Sequence, residues 1–195
     1  MKPDEERVAN YLAERSLSVA PFPNEEINER KTPDFSVQAG GAFAFYCEVK
    51  SIMKSNIEGM QNDPVFNRLT DDVHKAVKQL DSVNSLVAYP NVLAFVNHDK
   101  MCGFLDLIAV FTGTFISEKG ELHPIYRKFS EGRIKDEKAR VHAVVWLDDF
   151  KPERILFTQT HPEFHQKLCE WFGIQPSEIK QIGAQAPPIA KVRLP

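Results

Sequence analysis

The chain has 195 residues, enough to bury a sizeable core as one domain without disulfide or metal staples. Its formal net charge is −3, with 43% hydrophobic and 26% charged residues, which excludes a histone-like or coat-like nucleic-acid binder but leaves room for an enzyme with one local basic groove. Cys47, Cys102 and Cys169 lie far apart without zinc-ligand spacing, the N-terminus is acidic where a signal peptide is apolar, and no apolar run approaches the roughly 18 residues of a membrane span; the expectation is a soluble, cytoplasmic protein with reduced thiols and no membrane association.

The stretch "PDEERVANYLAERSLS" predicts a helix. Pro3 suits its first turn, and Asp4, Glu5 and Glu6 suit the positive end of its dipole. Val8, Tyr11 and Leu12 form the apolar stripe; Glu5 falls beside Val8 and Leu12, whereas Glu6 points away. "PFPNEEINERKTP", with three prolines, reads as loop. "DFSVQ" and "AFAFYCEVKSI" flank a glycine pair and predict a hairpin. Period two puts Phe43, Phe45, Cys47 and Val49 on a core face, and Ala42, Ala44, Tyr46, Glu48 and Lys50 on the other.

"SNIEGMQNDPVFNRL" reads as a polar loop or lid with at most one helical turn, and a helix is expected from about Thr70. Val73, Ala76, Val77, Leu80 and Val83 are its buried stripe, flanked by Asp72, Lys75 and Gln79. "NVLAFVNHD" predicts a central strand, with His98 and Asp99 in the loop after it. From Met101 to Lys138 the pattern is least regular: "FLDLIAVFTG" fits a helix ending at Gly113 or a strand, and the remainder reads as a long excursion. "GRIKDEKAR" has basic residues diluted by Asp136 and Glu137. "RVHAVVWLDD" and "ERILFTQT" predict two more strands. "THPEFHQKLCEWFG" predicts a helix with Thr160 and Glu163 as a capping box and Gly173 as its stop. The expected organisation is a single α/β domain over 1–183, a sandwich with a central mixed sheet and helices on its faces, followed by a mobile or partner-bound Pro-rich tail over 184–195.

The informative feature is the charged end of the second hairpin strand. Glu48 and Lys50 share a face, and Asp34 opens the partner strand within reach of Glu48. Two carboxylates brought together repel unless a cation lies between them. Oxygen ligands of this hardness suit Mg2+ or Mn2+, and a lysine beside such a metal can orient a water. Each residue alone has a plainer explanation: Asp34 as a turn residue, Glu48 and Lys50 as an exposed ion pair, Gln79 as surface, Glu5 as dipole decoration.

Taken together, Pro33-Asp34 and, after 13 intervening residues, Glu48-Val49-Lys50 resemble the signature of the PD-(D/E)XK nucleases, the restriction-endonuclease-like superfamily. The helix "VHKAVKQL" after the strand resembles that superfamily's fourth motif through Gln79, and Glu5 resembles its N-terminal glutamate. The resemblance spans Asp4 to Asn97; the C-terminal half carries no matching motif. It implies a restriction-endonuclease-like sandwich and a metal-dependent nuclease that hydrolyses phosphodiester bonds of nucleic acid with a metal-activated water, DNA being favoured over RNA. Asp34, Glu48 and the Val49 carbonyl would hold Mg2+ or Mn2+. Lys50 would position the water or the scissile phosphate, Gln79 would hydrogen-bond one of them, and Glu5 would serve a second metal. Lys75 would touch backbone phosphate. A homodimer is an assembly the resemblance allows, and the acidic pI points to a protein partner that brings the substrate. The rival expectations are a nuclease-like module that binds nucleic acid or protein without catalysis, and an unrelated α/β scaffold whose charged groups are dispersed. The 101–138 excursion is the expected place for substrate choice.

Overall fold

The computed structural model describes residues 1–54, 64–117, 119, 121–126, 131–158, 162–181 and 188–191. In chain order the elements are α1 (Pro3–Ala13), β1 (Leu17–Pro21), α2 (Asn24–Glu29), β2 (Phe35–Ala39), β3 (Ala42–Ile52), α3 (Pro64–Asn84), β4 (Asn91–Asn97), α4 (Phe104–Thr112), β5 (Thr114–Ile116), β6 (Leu122–Pro124), β7 (Ala143–Asp148), β8 (Arg154–Phe157), α5 (Pro162–Phe172), β9 (Ile179–Gln181) and β10 (Pro188–Lys191). The architecture is α/β with a mixed sheet ordered β1-β2-β3-β4-β7-β8-β10-β9. β1, β2 and β3 are antiparallel neighbours, β3, β4 and β7 run parallel, and β8 turns back against β7.

Helices cover both faces because the central strands are apolar on both sides. Along β4, Val92, Ala94 and Val96 face one core with Val8 and Leu12 of α1 and Leu168 and Phe172 of α5. Leu93 and Phe95 face the other, with Val73 and Val77 of α3 and Leu107 and Val110 of α4. Among the described residues no helix is long and apolar enough to cross a membrane.

Several sequence-based boundaries shift. Ser16 takes φ 59°, which stops the first helix, and Leu17 to Pro21 then form β1, paired with β2 over its whole length. A five-residue run ending in proline carries little periodic signal, and proline is tolerated there because β1 is an edge strand. The loop expected over 21–33 contains α2. α3 begins at Pro64 rather than Thr70, since Val65, Phe66 and Leu69 extend its stripe by more than a turn. The polar stretch 55–63 and Thr160 of the expected capping box lie outside the described residues. Within the expected tail, Pro188–Lys191 is a strand between β8 and β9.

The hairpin turn needs both glycines: Gly40 and Gly41 have φ of 58° and 81°, which suits a two-residue loop between twisted strands. A register shift between Val37 and Gln38 inserts Ala44 as a bulge in β3. The bulge corrects the expected alternation. Ala44 and Phe45 are both buried in the α1 core, and Phe43 swings to the opposite face, 4.7 Å from the Tyr46 ring and 4.6 Å from that of Tyr89.

Of the two readings for "FLDLIAVFTG", the helix is observed, closed by Gly113 at φ 69° whose N–H donates to the Ala109 carbonyl at 2.9 Å. Gly113→Ala is expected to lower the unfolding free energy by about 1 kcal/mol, because a Cβ disfavours the left-handed region; urea denaturation would measure it. Residues 131–140 fold back onto α3. Ile134 is fully buried, Arg140 donates to Asp81 Oδ1 at 2.6 Å, and His74 meets Glu137 at 2.6 Å.

Candidate active site

The site forms where β3 outruns β2. The last β2 pairing sets Phe35 opposite Cys47, so Glu48 to Ile52 have β4 on one side and no β2 partner on the other. Asp34, one residue before β2, takes that place with its side chain. Its Oδ2 accepts the Val49 N–H at 2.8 Å, while its own N–H donates to Glu48 Oε2 at 3.1 Å. A strand residue points N–H and C=O to the same edge, so the Val49 carbonyl also faces Asp34.

Lys50 stands on the same face of β3 as Glu48. Its Nζ donates to Glu48 Oε1 at 2.5 Å and to Gln79 Oε1 at 2.9 Å. Gln79 is aimed by its other end: Nε2 donates to the Thr32 carbonyl at 3.0 Å, tying α3 to the segment that leads into Asp34. The amide therefore spans the mouth of the site and holds the ammonium in place. Asp72, two turns up α3 from Gln79 toward the helix start, is half-buried; burial raises its carboxyl above the usual range while the charges of Lys75 and Lys50 oppose the rise.

Glu48 is nearly inaccessible, with 1% exposure. Burial and then the charge of Asp34 push its carboxyl up to about 8, against the opposing pull of Lys50. Asp34 is raised as well, first by burial, with the Val49 N–H working against the rise and the charge of Glu5 adding to it. Two raised carboxyls in contact titrate as a pair that keeps a proton near neutral pH.

Glu5 projects from α1 toward the same cleft, and Glu6 is exposed on the other side of the helix. The Glu5 carboxylate is engaged by Lys2, at 2.9 Å from its backbone N–H and 2.8 Å from Nζ. Burial acts against ionisation of Glu5, but these hydrogen bonds outweigh it and hold the carboxyl below its ordinary value. The Lys2 ammonium is also close enough to feel Asp34 and Glu48. Among the described residues no three His, Cys, Asp or Glu side chains form a ligand cage. What faces a cation here is two carboxylates and one carbonyl, all hard oxygens, with Glu5 contributing charge from beyond Lys2. That donor set fits Mg2+ or Mn2+ held with most of its water retained.

Lys75 does not reach this group; it is exposed and stands 4.0 Å from Asp72. His98 and Asp99 follow β4 near the end of β3. His98 lies between Asp149, at 2.7 Å, and Asp4 of α1, at 3.1 Å, and its backbone N–H donates to the Ile52 carbonyl. Arg7 grips Asp149 from the other side, so the first turn of α1, which carries Glu5, is tied to the ends of β4 and β7. Sequence reasoning did not find Lys2 or Thr32. A lysine at a helix N-cap and a threonine in a loop carry no pattern. Asp72 was visible as a flank residue in register with Gln79, although nothing in the spacing tied it to Lys50.

No protein-family model, no curated protein sequence and no solved structure matches this chain.

Proposed function

We propose that the protein is a metal-dependent nuclease of the restriction-endonuclease-like kind, cutting phosphodiester bonds of nucleic acid, DNA in the first instance. The observation that carries this reading is the convergence of Asp34, Glu48, Lys50 and Gln79 at one opening of the sheet, each held by another member of the group or by backbone. The order of elements supports it: an inward acid on α1, a later hairpin bearing both carboxylates, and a following helix bearing the glutamine. A bound divalent cation would supply Lewis-acid polarisation of the phosphoryl oxygen and a lowered pKa for water.

The chain's own residues do the rest. Asp34 and Glu48 set the negative charge that draws the cation, with the Val49 carbonyl beside them. With a cation held at Asp34 and Glu48, the Glu48 carboxyl would be ionised, and the Lys50 ammonium, anchored by Glu48 and Gln79, would face an attacking water or the scissile phosphate, where developing charge is greatest. Gln79 limits how far Lys50 can swing. In this arrangement Glu5 and Lys2 flank the site at its α1 end, and Lys75, exposed on α3, would touch only backbone phosphate.

The test is incubation of plasmid and single-stranded DNA with the protein and Mg2+ or Mn2+, beside Asp34→Ala. Metal-dependent cutting that Asp34→Ala abolishes supports the nuclease. Binding without cutting by the unaltered protein points instead to a module that has kept the fold and lost catalysis.

A further inference from the structure

Next to the carboxylates lies a cleft of about 790 Å³, within the roughly 300–1,000 Å³ of small-molecule sites, and it is open to Glu5, Asp34, Gln79, Lys2, Lys31 and Phe22. Phe22 is the informative member. β1 pairs with β2 up to Pro21 opposite Phe35, and β2 pairs with β3 up to Phe35 opposite Cys47. Phe22 directly follows the end of β1 and Asp34 directly precedes β2, so both lie at the edge where the paired strands stop and the cleft opens. Behind Phe22 the Tyr46 ring lies nearly parallel, with centroids 6.2 Å apart and planes inclined by 24°, and Phe43 and Tyr89 pack against Tyr46 in turn. Phe22 is thus a half-buried ring, backed by three more aromatics, on the wall of an acidic cleft that also carries two lysines.

The geometry points to a stacking platform for one unpaired base, with Phe22 as the residue that selects single-stranded over duplex nucleic acid. This rests on the nuclease reading for the identity of the ligand. A phosphate drawn to the Lys50 ammonium leaves the neighbouring base beside Phe22, and Lys31 on the cleft rim faces the next phosphate. Within a duplex both faces of a base are covered by its stacked neighbours, so only an unpaired base can lie flat on the ring. Aromatic stacking of this kind tolerates any base, which suits a site whose polar groups are otherwise taken up by the charged cluster.

The experiment is fluorescence anisotropy in EDTA, where cutting is excluded, with a labelled oligothymidylate of about 12 nucleotides, a duplex of the same length, and an abasic oligomer of the same length. Phe22→Ala is expected to weaken oligothymidylate binding about tenfold, to leave duplex binding within twofold, and to abolish the preference for oligothymidylate over the abasic strand. Phe22→Trp is expected to retain affinity. The abasic arm on the unaltered protein is independent of how well Phe22→Ala folds. Equal binding of the abasic and thymine strands by the unaltered protein overturns the platform, and so does equal weakening of single-strand and duplex binding by Phe22→Ala. Cleavage in Mg2+ without any dependence on Phe22 would remove this proposal alone. Phe22-dependent binding without cleavage would remove the nuclease reading and leave the platform.

Discussion

Lys50→Met is expected to lower metal-dependent cleavage by about 10²- to 10³-fold while leaving the fold standing and Mg2+ binding no weaker. Methionine keeps the unbranched stem and fills the same space, so the change removes little beyond the ammonium. That ammonium is shared between Glu48 Oε1 and Gln79 Oε1. Stripping one partner from a buried pair often destabilises by about 3–5 kcal/mol, because the other charge is stranded. Here the stranded group is a carboxyl already raised to about 8, so it takes a proton instead and the loss of stability stays well below that range. Removing the positive charge also removes the competitor for Glu48, which is why cation affinity should hold or improve. Single-turnover cleavage of a labelled DNA and calorimetric Mg2+ titration measure the two halves of the expectation. Cleavage at the unaltered rate would show that Lys50 stabilises no charge that develops in the reaction.

Without divalent cations, the protein's thermal midpoint is expected to fall as pH rises from about 5 to about 8, and Mg2+ is expected to flatten or reverse that slope. The sign follows from Glu48. Its ordinary value is 4.5 and its folded value is about 8, so between those limits the folded state keeps a proton that the unfolded chain has released. Stability therefore declines through that window and levels off above it. The total decline is on the order of a few kcal/mol, and each kcal/mol moves the midpoint of a chain this size by about 2–4 °C. Asp34, also raised, acts in the same direction from a lower starting pH. His98 adds a term of the same sign: burial lowers its pKa, but Asp149 and Asp4 outweigh that, so its contribution is present below about 6.5 and lost as pH climbs through the raised value. The cation separates the two. A divalent ion at Asp34 and Glu48 replaces the proton and stabilises most at high pH, whereas it does nothing for His98. Melting curves across pH 5–9, with and without Mg2+, give the result directly. A slope that Mg2+ leaves unchanged would argue that the two carboxylates do not bind a cation.

Much of the site was legible in the chain because its members are linked by short-range rules. Glu48 and Lys50 share a face through the two-residue period of β3, and Gln79 follows from the 3.6-residue period of α3. Asp34 came into reach once a two-glycine turn defined the hairpin. Glu5 rather than Glu6 was found on the inner side of α1 for the same reason. The face of Phe43 was misjudged because a single bulged residue inverts a period-two pattern, and no residue type announces a bulge at Ala44. Lys75 lies on the same flank of α3 as Gln79, as its spacing predicts, but is exposed beside Asp72 rather than joined to the charged group.

The sequence by itself determined which side chains share a strand face or helix stripe, since that depends only on local backbone period. It therefore determined the charged pair on β3 and the apolar faces that bury the sheet. Only the tertiary structure decided where β2 stops against β3, which exposes the Val49 edge to Asp34. Only it placed Phe22 in the same cleft as Glu5 and Asp34, just after a strand too short to show a pattern. The same packing closed the 131–140 segment over α3 and buried Glu48 deeply enough to push its carboxyl up to about 8. These depend on registers and solvent exclusion between segments distant in the chain, and such long-range terms are set by the whole packed core rather than by any local run of residues.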